Sequence, residues 1–156
     1  MSFNLSKRSQ ERLMGVHPDL IAVVERAIEL TEVDFGVTCG VRTVEEQEAN
    51  VAAGRSQTMR SKHLPQEDGY SQAVDVVAYV GPEVSWELNL YDEIADAMKE
   101  GAIAVGVGIR WGAAWHINSI GEWPQSSEEA MNAYIDLRRS QGRRPFIDAP
   151  HFELIV

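Results

Sequence analysis

Apolar residues recur along this chain in two rhythms, one helical and one alternating. Leu20, Val23, Val24, Ala27 and Ile28 fall at the 3.6-residue spacing of one helix face. Pro18 suits the first turn of that helix, where no N–H is needed. Phe35, Val37 and Cys39 alternate with Gly36 and Thr38 and predict a short strand. Thr43 and Glu46 have capping-box spacing, opening a helix through Ala52 that Gly54 closes. From Ala73 to Tyr79 the alternation returns, with Asp75, Val77 and Tyr79 on one face and Val74, Val76 and Ala78 on the other. A helix from about Trp86 to Glu100 buries Leu90, Ile94, Ala97 and Met98 and is expected to end at Gly101. The glycine-rich, aromatic stretch 105–115 reads as a strand and turn. Ser126 and Glu129 form a second capping box, before a helix carrying Met131, Tyr134, Ile135 and Leu137 and stopped by Gly142. The chain closes on an alternating strand, His151–Val156. Short, few strands interleaved with helices predict an α+β fold, a small and mainly antiparallel sheet packed with helices.

Composition narrows the partners without naming a chemistry. At 156 residues the chain is expected to form one domain, 1–156. Acidic residues number 24 against 14 basic ones, a formal net charge of −10. That argues against nucleic acid, whose phosphates call for Lys and Arg, and against docking on an anionic membrane. One cysteine rules out an internal disulfide and fits synthesis in a reducing cytoplasm. The first residues, Met-Ser-Phe-Asn-Leu-Ser-Lys-Arg, lack the apolar stretch of a signal peptide, and no run reaches membrane-spanning length.

Two segments carry the candidate chemistry. In Ser61-Lys62-His63 followed by Ala73-Val74-Asp75, the aspartate interrupts an apolar strand. A charge there needs a partner, either a metal cation or an arginine or helix cap nearby. In Asp148-Ala149-Pro150-His151, the Ala-Pro step can fold Asp148 back toward His151. Asp148 there is either a general base or a turn residue bonding backbone amides. The His-Glu-x-x-His signature is absent, so any site must be assembled from distant segments. Cys39 reads as a small buried hydrophobe, and the four tryptophans as core residues or stacking platforms for sugars.

Taken together, these segments resemble the zinc D-alanyl-D-alanine carboxypeptidase-like (VanY-like) peptidases, particularly the bacteriophage L-alanyl-D-glutamate endopeptidases that act as endolysins. Matching stretches run from Gly15-Val-His-Pro-Asp-Leu20 through Asp34–Gln47, Thr58–His63, Ala73–Tyr79, Ile94–Lys99 and Ile109–Gly112 to Asp148–Leu154. The resemblance implies the Hedgehog/DD-peptidase-like zinc peptidase fold and a zinc ion held by His63, Asp75 and His151. It implies that Asp148 is the catalytic acid/base, that Arg42 faces a substrate carbonyl or carboxylate, and that Ser61 lines the same pocket. The expected function is hydrolysis of a peptidoglycan stem-peptide amide, most simply L-alanyl-D-glutamate, by a monomer released onto the host wall during lysis. Rival functions are a D-alanyl-D-alanine carboxypeptidase or dipeptidase on the same fold, a non-catalytic zinc-containing wall-binding module, and a virion component. Two departures stand out. The connection Leu64–Gln72 between His63 and Asp75 is longer than the family's short turn, and it carries Glu67 and Asp68. A helical segment of about 116–145 is inserted before Asp148, as a substrate wall or as surface elaboration, with His116 at the pocket rim or the surface.

Overall fold

A computed structural model describes residues 2–56 and 58–155. Its strands are β1 (Phe35–Cys39), β2 (Ala73–Val80), β3 (Glu83–Ser85), β4 (Ile109–Trp111) and β5 (His151–Leu154). Its helices are α1 (Lys7–Arg12), α2 (Pro18–Leu30), α3 (Val44–Ala52), α4 (Leu88–Val105) and α5 (Ser127–Ser140). The strands form one sheet in the order β1-β2-β5-β4, every pair antiparallel. β2 is shared along its length: β5 pairs with Ala73–Asp75, while β3 forms a hairpin on Ala78–Val80. This is the α+β arrangement that the periodicities predict. Val156, expected at the end of the last strand, lies outside the described residues.

One face of the sheet makes the core. Val74, Val76, Phe35, Ile109, Trp111 and Phe152 pack there with Leu20, Val23, Val24 and Ala27 of α2 and Ile94 and Met98 of α4. Thr43 and Glu46 form the full reciprocal box at the start of α3, whereas Ser126 caps α5 by accepting from the Glu129 N–H without the return bond. No helix among the described residues is long and apolar enough to cross a membrane.

The expected end of α4 at Gly101 is wrong. The helix runs on to Val105, and Gly106, at φ +85°, makes the left-handed cap. Gly101 is a packing residue instead: a Cβ there would lie 2.8 Å from the Val23 carbonyl oxygen of α2. A glycine needed for close helix contact and one needed to stop a helix look alike in sequence. The helix also starts later than Trp86, after Glu87, leaving the Trp86 ring exposed. α1 and β3, six and three residues long, are too short to show a periodicity.

Where α4 meets the start of α5, four carboxylates gather. Burial, then the charges of Glu128, Glu93 and Asp96, push Asp92 up to about 6 from an ordinary value of 3.8. Because the folded state binds this proton more tightly, the penalty is absent below the unfolded value. It grows as pH rises through the window from about 4 to 6 and is fully present above it. Asp92→Asn should therefore stabilise the protein by roughly 1 kcal/mol at pH 8, allowing for solvent screening, and by nothing at pH 4. Thermal unfolding of both proteins at the two pH values checks this, and an equal gain at both would refute it.

Candidate metal centre

Strand register builds the first part of the site. Asp75 stands directly across from Cys39 on β1 and from His151 on β5. Directly opposed residues point to the same side of a sheet, so these three form a row on the face away from Val74 and Phe152. A bulge between Val37 and Cys39 brings Cys39, not Thr38, opposite Asp75. His151 Nδ1 lies 3.1 Å from Asp75 Oδ1, while its Nε2 lies 2.8 Å from Glu153 Oε1. Residues 151 and 153 share a strand face, so Glu153 holds the outer edge of the ring and leaves Nδ1 turned toward Asp75.

His63 reaches the row from a loop. Its backbone carbonyl accepts from the Arg42 N–H, and its own N–H donates to Ser61 Oγ at 3.1 Å. Its Nδ1 bonds the Gly40 carbonyl at 2.8 Å, which leaves Nε2 as the free edge. Nε2 is 3.2 Å from Asp75 Oδ2 but misaligned for a hydrogen bond, so it is a buried nitrogen with no partner. The long Leu64–Gln72 connection leaves this geometry intact because its base is pinned: the Gln72 N–H donates to the Lys62 carbonyl at 2.7 Å. Its excess length folds outward, where Asp68 and Tyr70 meet His17 at the start of α2.

The Asp148 turn is held by contacts that only glycine allows. The Asp148 N–H donates to the Gly112 carbonyl, and the Gly112 N–H to the His151 carbonyl, both at 2.8 Å. A Cβ on Gly112 would sit 2.1 Å from the Asp148 carbonyl oxygen. Trp111 Nε1 donates to the Ala149 carbonyl at 2.8 Å and closes the same turn.

Charge in this site is concentrated at Asp75. Burial alone would raise its pKa, but the hydrogen bond from His151 and the close approach of His63 hold it well below the usual carboxylate range. Burial likewise opposes the charged form of His63, and Asp75 and Cys39 overcome it, pushing the imidazole up to about 10. For His151 burial is outweighed by Asp75 and Glu153, and the value rises to about 9. Negative potential that strong around two imidazoles favours a metal cation as it favours protons. Asp148 is raised chiefly by burial and then by Asp75, against the pull of His151, His63 and Arg42.

Two overlapping groups could hold a metal ion, Cys39–His63–Asp75 and Asp75–Asp148–His151, with Asp75 common to both. They open into a cleft of about 700 Å3 that Arg42, Ser61, Trp115, Phe146 and Glu153 also line. A family model described as phage L-alanyl-D-glutamate peptidase matches residues 1–155. This chain belongs to that family. The L-alanyl-D-glutamate peptidase of Escherichia phage T5 is 32% identical over 120 residues, covering 74% of this chain and 84% of that protein. Its counterpart from Listeria phage A118 is 41% identical over 75 residues, 48% of this chain but 24% of that protein. The crystal structure of the L-Ala D-Glu endopeptidase ChiX of Serratia marcescens matches with a TM-score of 0.70 at 35% identity, over 99% of this chain and 91% of that one.

All six residues that the family resemblance singles out, Arg42, Ser61, His63, Asp75, Asp148 and His151, line this one cleft. Of the partners considered for Asp75 the arginine is there, with Arg42 Nη2 3.7 Å from Asp75 Oδ2, and two imidazoles stand beside it. Cys39 departs from its reading as a buried hydrophobe: it is half-buried, with its sulfur 3.6 Å from His63 Nδ1 and 3.7 Å from Arg42 Nη2. His116 is exposed outside the cleft, and neither Glu67 nor Asp68 joins a possible metal group among the described residues. Sequence reasoning passes over Gln47 and Glu153. Gln47 is the one fully inward residue of α3 and accepts from Arg42 Nη1 at 2.7 Å, fixing the guanidinium. A polar side chain on the buried stripe of a short helix is the signal for it. For Glu153 the signal is its two-residue spacing from His151.

Gly112→Ala should displace the Asp148 turn, costing about 2–3 kcal/mol by overpacking. Urea unfolding measures that loss, and a variant of native stability would show that the turn yields without strain.

Proposed function

We propose that this chain is a zinc-dependent peptidoglycan endopeptidase, a phage endolysin that hydrolyses the L-alanyl-D-glutamate bond of the stem peptide. The cross-strand pair Asp75–His151, met by the unpartnered His63 Nε2 and flanked by Asp148, carries this proposal in a chain of this family. His63 through Nε2, Asp75 through its carboxylate and His151 through Nδ1 would hold the ion. Two imidazoles and one carboxylate opening on a cleft match a catalytic zinc site better than a closed structural one, which favours four protein ligands. Zinc bound there supplies Lewis acidity, polarising the scissile carbonyl and making water easier to deprotonate.

The chain's own groups complete the reaction. Asp148, whose proton affinity is raised by burial, takes a proton from the attacking water and returns it to the leaving amine. Arg42, steadied by Gln47, offers its planar fork to the carbonyl oxygen or to a substrate carboxylate. Ser61 shapes the pocket floor by holding the His63 backbone. Glu153 holds His151 in the tautomer that presents Nδ1.

Charge in the cleft suits an acidic peptide. Arg42, Arg55, Arg60 and Lys62 line it with Asp75, Asp148 and Glu153, and of these cations Arg42 faces Asp75 and Lys62 faces Glu153, each at 3.7 Å. Among the described residues no carboxylate pairs with Arg55 or Arg60, so both are open to the carboxylates of the stem. Residues 1–156 would act as one catalytic unit, working as a monomer on the cell wall.

Asp148→Ala should retain zinc by elemental analysis while losing at least about a hundredfold in muropeptide cleavage. Native activity in that variant would remove Asp148 from its role. Glu153→Gln should weaken zinc binding by about 10–100-fold in competition with a chelator. An unchanged affinity would show that His151 needs no such support.

A further inference from the structure

The inserted segment carries a second cavity that the chemistry above leaves unused. It holds about 400 Å3, within the range of roughly 300–1,000 Å3 typical of small-molecule sites. Trp115 and Phe146 line both this cavity and the catalytic cleft, so the two adjoin across that aromatic pair. The rings of Trp115 and Phe146 stack at 6.2 Å and 25°, and His116 stacks on Tyr134 at 5.6 Å and 27°. Phe146 is 53% exposed despite its size. Burial of part of the His116 ring lowers its pKa.

Two donors on these walls, Trp115 Nε1 and Arg138 Nε, are buried with no hydrogen-bond partner. Leaving such a group unsatisfied costs about 1–3 kcal/mol. Both belong to side chains that line this one aromatic cavity, so a ligand oxygen that reaches either meets an unused donor. No acidic side chain lines it. Flat aromatic faces suit the C–H face of a pyranose, and N–H donors suit its hydroxyl and acetamido oxygens.

We propose that the inserted segment forms a glycan subsite, which seats an amino-sugar ring of the peptidoglycan strand beside the stem being cut. This rests on the endopeptidase reading. The alanine of the scissile bond is the first stem residue, joined by an amide to the lactyl group of the sugar, so a sugar must lie close to the catalytic cleft. The insertion is then a substrate wall that adds strand recognition to peptide recognition.

His116→Ala combined with Arg138→Ala removes one ring and one donor without touching a residue of the catalytic cleft. The native protein should cleave a disaccharide-bearing muropeptide with kcat/KM about tenfold or more above that for the sugar-free stem peptide, a difference of about 1.4 kcal/mol. The double variant should lose this preference and cleave the free peptide as the native protein does. Equal cleavage of both substrates by the native protein, or a preference that survives in the double variant, overturns the subsite and leaves the endopeptidase standing. A second measurement is independent of turnover. The neutral di-N-acetylchitobiose should shift the Trp115 indole N–H resonance, assigned through Trp115→Phe, in the native protein and not in the double variant. If neither peptide is cut but the sugar shifts this resonance, the endopeptidase reading fails and the subsite remains. An unmoved resonance, or the same shift produced by inorganic phosphate instead of the sugar, refutes the subsite.

Discussion

A carboxylate in the middle of an apolar strand is unfavourable unless its charge is met, and Asp75 is met from three sides. His151 comes from the neighbouring strand, His63 from a loop, and Arg42 from the turn after β1. Each partner is in turn held by something less visible: Glu153 behind His151, the Gly40 carbonyl behind His63, and Gln47 behind Arg42. Removing the Asp75 charge would leave His151 without its acceptor and His63 without the nearby negative charge, so the ordering of the cleft depends on that one residue. Such a network raises the stakes of every member, since a partly satisfied polar cluster is worse than an apolar one.

Much of this was legible in the sequence where a local rule operates alone. The N-caps at Thr43 and Ser126 and the stripe of α2 are read from a few adjacent residues, and the structure keeps them. Asp75 is legible as an anomaly because alternation makes a charged residue on an apolar strand conspicuous. What is not legible depends on a second segment. Gly101 looks like a helix stop until α2 lies against it, and Gly112 looks like a turn residue until the Asp148 backbone arrives 2.1 Å from where its Cβ would be. The bulge that turns Cys39 toward Asp75 has no sequence marker at all. His63, Asp75, Asp148 and His151 were grouped through family resemblance. Strand register supplies the physical reason for only part of that grouping, the pair at 75 and 151.

The net charge of −10 takes on a different meaning once its distribution is known. Acidic residues crowd elsewhere, as around Asp92, whose proton affinity burial and the charges of Glu128, Glu93 and Asp96 raise. The cleft collects Arg42, Arg55, Arg60 and Lys62. At physiological salt, charges are screened beyond about 8 Å, so a substrate in the cleft feels its lining far more than the distant body. An acidic protein can thus keep unpaired cations, Arg55 and Arg60, at the rim of a cleft whose centre is negative, and repulsion from the rest of the surface acts mainly on approach.

The two segments that the sequence reading sets apart have opposite structural meanings. The long Leu64–Gln72 connection is closed at its base by the Gln72–Lys62 hydrogen bond. Each doubling of loop length adds only about 0.6 kcal/mol of closure entropy, so the extra residues can leave the metal-binding geometry undisturbed. They are spent outward, against His17 and the start of α2. The insertion before Asp148 behaves differently, because its two ends, Trp115 and Phe146, stack on each other and one of them also packs 5.5 Å from the His151 ring. A segment anchored at both ends to the catalytic cleft cannot vary without altering that cleft. Length added at a pinned base leaves chemistry alone, whereas length added between two cleft residues becomes part of the surface the substrate meets.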